Sequence, residues 1–345
     1  MRDSTHLAPS AESTTLRTLR GMLAATLIAL ALTALAFPSV ALAHETGGSA
    51  CIVTDEQRAA YEADGTLEAR IAFQKALGND QPSPELIQQA IARQDAENGM
   101  ASRSVPGSWG SGMATQGRAH VLALRVSFPD YETFSEGDTL EALQALVGPR
   151  DVGGSPSPLQ GASPFPYESL NAYYMRASYE TLTITGEALD YRTKHERDYY
   201  TGDIGELFRE ALAALDETED LARFDANKDG RLDAVYVHFA GPDTGWGSTW
   251  WSNEQNLSSP DAVYENGTVG LWNAVMLANP ANRDGAGQTI IHETGHVLGL
   301  PDYYQYVNQQ GGSTERTGIL TFDMMMDNQG DHNGFSKWLL GWLDG

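Results

Sequence analysis

The sequence predicts an α+β domain, and three observations carry that expectation. Four β-rich apolar runs, His120–Phe128, Leu182–Ala188, Ala234–Phe239 and Leu271–Leu277, lie ahead of a helical segment around Ile290–Leu298. An amphipathic stretch, Asp203–Leu221, falls among them with apolar residues at helical spacing. Irregular chain follows the Ile290–Leu298 segment, and a closing helix then presents Trp338, Leu339 and Trp342 on one face.

Taken in order, the chain opens with Arg17 and Arg20 ahead of the apolar run Met22–Phe37, then Pro38 and Ala41-Leu42-Ala43. Charge, apolar run and small residues are the signature of a secretory signal peptide, expected over residues 1–43. The run is shorter than the ~18 apolar residues of a membrane span, so an anchor is the weaker alternative. Gly48-Ser49-Ala50-Cys51 lacks the large apolar residue that opens a lipidation box. The expectation is a secreted, extracellular protein with no stable membrane association once the signal is removed.

Thr54–Leu77 and Pro84–Ala96 have helix-forming composition, separated by Gly78-Asn79-Asp80 and two prolines. Residues 44–97 therefore read as a helical pro-segment. The Gly- and Ser-rich residues 98–117 read as a protease-accessible linker, and 118–345 as the main domain. Cys51 is the only cysteine, which excludes an intramolecular disulfide. It is either a thiolate latch on a metal or an incidental thiol.

Within the main domain His120–Phe128 is a buried first strand ending at Pro129-Asp130, Pro166–Ala177 a helix and Leu182–Ala188 a second strand. Asp203 is the expected N-cap of the amphipathic helix, with Ile204, Leu207, Phe208, Leu212 and Leu215 on its apolar side. Asp225, Asn227, Asp229 and Asp233 stand at positions 1, 3, 5 and 9 of a calcium loop. Gly230 is at position 6, and Arg231 offers its carbonyl at position 7. Position 12 is Tyr236 rather than a bidentate Glu, and a polar turn between helix and strand would select the same residues. A structural calcium ion is the preferred reading.

The most informative segment is His292-Glu293-Thr294-Gly295-His296-Val297-Leu298-Gly299-Leu300-Pro301-Asp302, of the form H-E-x-x-H-x-x-G-x-x-D. On a helix His292 and His296 lie four apart on one face and offer imidazole nitrogens to one zinc ion. Glu293 stands beside the first ligand, placed to act as general base without ligating the metal. Gly299 allows a sharp turn that returns Asp302 as third ligand. Three protein ligands leave one position open, as catalytic zinc sites require. The bland alternative, an amphipathic helix with Ile290, Ile291, Val297 and Leu298 in the core and two satisfied histidines, does not account for Gly299 and Asp302. Should Asp302 not ligate, His332 or Asp331 is the next choice. Met324, Met325 and Met326 suit a hydrophobic floor beneath such a site, or an ordinary core without it.

With 22 basic and 46 acidic residues, the formal net charge is −24, which disfavours nucleic acid and anionic membrane surfaces as partners. Only four basic residues are lysines, Lys75, Lys194, Lys228 and Lys337, in keeping with an acidic secreted surface.

From Arg118 onward the sequence resembles the immune inhibitor A type of secreted bacterial zinc metallopeptidases, relatives of the metzincins. The resemblance rests on Val126-Ser127-Phe128-Pro129-Asp130, Tyr173-Tyr174 with Ala177-Ser178-Tyr179, and the Asp225–Asp233 loop leading into Val237-His238-Phe239-Ala240-Gly241. It rests further on the zinc motif and on Phe322-Asp323-Met324-Met325 through Ser336-Lys337-Trp338-Leu339-Leu340-Gly341-Trp342. It implies a metzincin-like catalytic domain, endopeptidase activity, a cleavable pro-segment, zinc on His292, His296 and Asp302, Glu293 as base, calcium elsewhere, and Met325 in the methionine turn. Protein or peptide substrates, handled by a monomer, are the expected partners. Family members commonly continue into β-rich domains, whereas this sequence ends at Gly345, either as a minimal form or with its C-terminus missing. A histidine expected near Asn253 is absent, so the Trp250–Asn253 loop is given no catalytic role. Tyr303 and Tyr304 are the tyrosines close enough in sequence to assist an oxyanion. Two rival functions are an inactive, calcium-stabilised binding module and a zinc hydrolase of cell-wall amides. The intact Glu293 weighs against the first, and the acidic surface disfavours the second.

Overall fold

The computed structural model describes residues 53–100, 113–148, 169–257, 273–278, 286–306, 322–328 and 330–343. The signal segment, Cys51 and residues 101–112 of the linker lie outside them. All described residues belong to one unit, Val40–Gly345. Among them no helix is long and apolar enough to cross a membrane.

A five-stranded, mostly parallel sheet organises a mixed α/β fold, with strand order β2-β1-β3-β5-β4. β1 (Gly117–Ser127) lies between β2 (Leu182–Arg192) and β3 (Val235–Phe239), parallel to both. β5 (Asn273–Leu277) continues the parallel set beside β3, and β4 (Asn253–Asn256) closes the edge antiparallel to β5. A strand buried on both faces can be apolar throughout. In β1, Ala119, Val121 and Ala123 enter one core while Leu122, Leu124 and Val126 enter the other.

One face is covered by α6 (Ile204–Asp216), whose Leu207, Phe208, Ala211 and Leu212 pack with Leu122, Leu124, Val235 and Val237. Asp203 caps it as expected, accepting from Gly205 N at 3.0 Å. The helix stops at Asp216, short of Leu221. Asp220 then starts a separate 3₁₀ turn, Leu221–Phe224, which seats Leu221 and Phe224 in the same core.

The opposite face carries α4 (Leu140–Val147), α5 (Leu170–Ala177), α7 (Ala286–Val297), the short α8 (Met324–Asp327) and α9 (Gly334–Leu339). The sequence reading lacked α4 and β4. The first is brief but capped, with Thr139 Oγ1 accepting from Ala142 N at 3.2 Å. The second, Asn-Glu-Gln-Asn, has no apolar signal at all.

Among the described residues, three helices precede the sheet: α1 (Asp55–Asp64), α2 (Leu67–Leu77) and α3 (Pro84–Glu97). Composition reads Thr54–Leu77 as one helical stretch, but Gly65 at φ +76° ends α1 in a left-handed cap. Thr54 and Gln57 form a capping box at its start. These helices are integrated with the rest. Leu86 and Ala90 of α3 enter the same core as Val297, Leu298 and Leu300. Arg93 Nη2 donates to Trp338 O at 3.0 Å, at the end of α9. Arg70 of α2 donates to Trp246 O at 2.6 Å and Thr244 O at 3.1 Å.

Because Leu86 is 2% exposed within the principal core, Leu86→Ala is expected to destabilise the whole protein by about 2–5 kcal/mol. Thermal unfolding should shift as a single transition. An unchanged melting curve, or melting of a separate small unit, would contradict the shared core.

Candidate metal centre

Helix α7 carries the motif through the middle of the protein, and every residue of it except Gln288 is buried. Two tyrosines from neighbouring elements fix it. Tyr174 of α5 donates its hydroxyl to Ile291 O at 2.8 Å, and Tyr236 of β3 shares a 2.8 Å hydrogen bond with Thr294 Oγ1. Gly295 lies over the methionine turn, where an added Cβ would collide with Met325 Sδ. Met325 is fully buried, with its Sδ against Gly295.

Gly299 ends the helix at φ +94°, a left-handed conformation that favours glycine, and Ser83 Oγ occupies the space a side chain would need. The chain then returns, and Asp302 meets both histidines. Its Oδ1 lies 2.9 Å from His292 Nε2 and 3.3 Å from His296 Nε2. The imidazole rings are 4.9 Å apart and nearly perpendicular, at 82°. Among the described residues, His292, His296 and Asp302 are the trio whose ligand atoms lie within 4.8 Å of one another.

The donor set fits zinc. Tetrahedral ligands at about 2.0–2.1 Å from the ion lie about 3.3–3.4 Å from one another, so the observed spacings need only slight expansion. The tautomers also fit. His292 Nδ1 is 3.1 Å from Met324 O and His296 Nδ1 is 2.8 Å from Leu300 O. A carbonyl only accepts, so each Nδ1 carries a proton and each Nε2, facing Asp302 Oδ1, is the nitrogen that could ligate a metal.

Electrostatics reinforce the grouping. Burial pulls the His296 imidazole down, but the Asp302 carboxylate, the Glu293 charge and the Leu300 carbonyl together hold it up at about 9. Burial pushes Asp302 up, yet the two imidazoles hold its carboxyl well below the usual range. Glu293 is buried beside this cluster, and its charge is among the influences that raise His296 and Glu254. Glu254 of β4 is buried too. Burial first, then Glu293, pushes it up to about 7 against the opposing Asn273 hydrogen bond and His296. Asn273 Nδ2 donates to its Oε1 at 2.7 Å.

The alternative third ligands lie elsewhere. His332 is enclosed by Tyr173, Tyr174 and Trp342, and Asp331 pairs with Lys337 at 2.7 Å. Tyr303 turns its hydroxyl to Ser336 Oγ at 2.9 Å, while the Tyr304 ring stands 6.4 Å from His292. The tyrosine that reaches the cluster is one the sequence reading did not name: Tyr306 donates to Asp302 Oδ2. Burial, and then the Asp302 charge, push its hydroxyl well above the ordinary range, so it remains a donor. Its signal in the sequence is the spacing of four from Asp302. Asn79, between α2 and α3, is the other residue missed. Its carbonyl accepts from Asp302 N at 2.7 Å and its Nδ2 donates to Glu254 O at 3.1 Å.

The Asp225–Asp233 loop keeps Gly230 at φ +87°. Asp225 accepts from Asp229 N and Gly230 N, at 3.0 and 2.9 Å, and Asp229 Oδ1 accepts from Arg231 N at 3.0 Å. Asn227 Oδ1 accepts from Asp229 N at 3.0 Å. Asp233 is fully buried; its Oδ2 accepts from His120 N at 2.6 Å and its Oδ1 has no hydrogen-bond partner. Burial, with Asp225 and Asp229 adding to it, pushes Asp233 up to about 7. A buried carboxylate oxygen without a donor is what a cation at the loop would satisfy, although the three carboxylates are not drawn into one tight group.

Neither a protein-family model nor a curated protein sequence matches the chain.

Zinc binding at pH 6–7 is expected to release about one proton from His296, since the ion takes the nitrogen that the metal-free site protonates. Calorimetry in two buffers of different ionisation enthalpy measures it; no release would mean a neutral His296. Asp233 titrates at about 7 when folded, above its ordinary 3.8. Its contribution to stability is therefore complete below about pH 4 and lost as the pH rises through about 7. In calcium-free buffer the melting temperature should fall by several degrees from pH 5 to 8, less so in Asp233→Asn, and calcium should reverse the fall. Indifference to calcium would remove the ion from the loop.

Proposed function

We propose that the chain is an exported, zinc-dependent endopeptidase with a metzincin-like catalytic domain, held latent by its N-terminal helices. The observation that carries this reading is the convergence of His292 Nε2 and His296 Nε2 on Asp302 Oδ1, both Nδ1 atoms being committed to carbonyls, with Glu293 beside them. A purely structural site would close a fourth protein ligand and would not need a buried carboxylate next to it.

Zinc held by His292, His296 and Asp302 would polarise a carbonyl oxygen and lower the pKa of a coordinated water from about 15.7 toward about 7. Glu293 would serve as the general base for the attacking water and as the general acid for the leaving amine nitrogen. Asp302 would supply the negative charge of the ligand set, with the two imidazoles oriented by Met324 O and Leu300 O. The buried methionines exclude water from below.

Latency has its own support. His292, Glu293, His296 and Asp302 are all buried with the N-terminal helices in place. Asn79 bridges the third-ligand backbone and the β4 carbonyl of Glu254, while Ser83 N donates to Gly299 O at 2.9 Å. A substrate strand approaching β4 would meet this segment first. The oxygens of Asp225, Asn227, Asp229 and Asp233, with the Arg231 carbonyl, are proposed to hold one structural calcium ion. Substrates are proteins or peptides, cleaved outside the cell by a monomer, and the net charge of −24 disfavours nucleic acid.

The test is hydrolysis of labelled casein by the full chain after limited proteolysis of the N-terminal segment. Glu293→Gln should lower kcat by about 10²–10⁴-fold with zinc content unchanged, and a chelator should abolish activity in the wild type. Equal cleavage by wild type and variant would sink the mechanism.

A further inference from the structure

Asp302 has two carboxylate oxygens, and only one faces the histidines. Oδ1 lies against both Nε2 atoms, while Oδ2 accepts the hydroxyl of Tyr306, four residues along the chain. A carboxylate left free at Oδ2 rotates about its Cβ–Cγ bond and offers either oxygen, or both, to an ion. With Oδ2 held, Oδ1 alone is presented.

The Tyr306 ring is itself fixed. It meets the Trp246 indole edge-on at 5.9 Å and the Tyr304 ring at 5.6 Å, and Tyr304 in turn borders His292. Trp246 and Tyr306 share a hydrophobic cluster with Tyr61 of α1 and Leu67 and Ile71 of α2. Arg70, in the same turn of α2, clamps the Trp246 carbonyl and lies 4.1 Å over the Tyr61 ring. An unbroken line of packed side chains therefore runs from the N-terminal helices through Trp246 and Tyr306 to the third ligand.

We propose that Tyr306 is a positioning residue that fixes Asp302 as a one-oxygen ligand, and that the Tyr61–Leu67–Ile71–Trp246 cluster couples metal affinity to the seating of the N-terminal helices. The inference rests on Asp302 being a zinc ligand. It assigns the helices a second effect besides covering the site: while docked, they pre-organise the ligand set. Ligands outside the coordination sphere that orient a metal-binding carboxylate typically change metal affinity by 10–100-fold.

The experiment measures zinc affinity by competition with a chromophoric chelator on the full chain, comparing wild type, Tyr306→Phe, Leu67→Ala and the double variant, with His292→Ala as reference. Tyr306→Phe keeps the ring and its packing and removes only the hydroxyl. It is expected to weaken zinc binding by about 10–100-fold, while lowering the metal-free melting temperature by only a few degrees. The cobalt-substituted protein should show an altered d–d absorption band, a signature that a merely structural role would leave unmoved. Leu67→Ala should give a smaller loss, and the double variant should lose less than the product of the two single effects. Wild-type zinc affinity and cobalt spectrum in Tyr306→Phe would overturn the positioning role. Independent, multiplicative effects of the two substitutions would overturn the coupling. Zinc binding in His292→Ala as tight as in wild type would instead overturn the metal reading itself, separately from the inference.

Discussion

The carboxylate of Asp302, buried between two imidazoles, is the interaction on which the rest of the site depends. Three ionisable groups and Glu293 are buried together there, an arrangement whose desolvation cost is tolerable only if the charges are paired and hydrogen-bonded. Every available hydrogen-bonding position of the two histidines is used: each Nε2 faces Asp302 and each Nδ1 a backbone carbonyl. Those two carbonyls come from different stretches, the turn after α7 and the methionine turn. The geometry of one carboxylate thus fixes the relative placement of a helix end, a loop and a floor. The sheet's contribution is to hold α7 still, through Tyr236 on β3 and the apolar side chains beneath it.

How much of this was legible in the sequence depends on distance along the chain. His292, His296 and Asp302 lie within one helix and its turn, so local spacing, with the family resemblance, was enough to expect them together. Val235–Phe239 and Asn273–Leu277 were legible as apolar runs because strands of a doubly covered parallel sheet are apolar on both sides. Their order across the sheet was not, since it is decided by pairings remote in sequence. β4 escaped notice for a different reason. Its four residues are polar, and three of them are buried through hydrogen bonds, such as Asn273 to Glu254, that only the folded sheet supplies. The loop at Asp225–Asp233 shows the reverse case. Its spacing was plain, but the same oxygens that would hold an ion also accept the loop's own backbone N–H groups, so spacing alone overstated how specific the pattern is.

The N-terminal helices illustrate what composition leaves out. Thr54, Ser83 and the flanking Gly65 mark helix ends clearly, and nothing in those residues reveals where the helices dock. Their docking surface is assembled from Trp246, Trp251, Tyr306, Gly299 and the end of α9, all distant in sequence. A segment that looks detachable as a string of residues is, in the folded state, a wall of the principal core.

That wall also has a consequence for timing. A chain is made from its N-terminus, and its early segments leave the ribosome first. Arg93 must wait for a carbonyl 245 residues further along, and Asn79 and Ser83 for a turn that emerges only after the whole sheet. Closing so long a loop costs little more entropy than closing a shorter one, so the delay carries small thermodynamic penalty. Its effect is on the order of assembly: the Gly299–Asp302 turn, α8 and the N-terminal helices come together in the final stretch of synthesis. A half-made chain therefore lacks the assembled cluster of His292, His296 and Asp302.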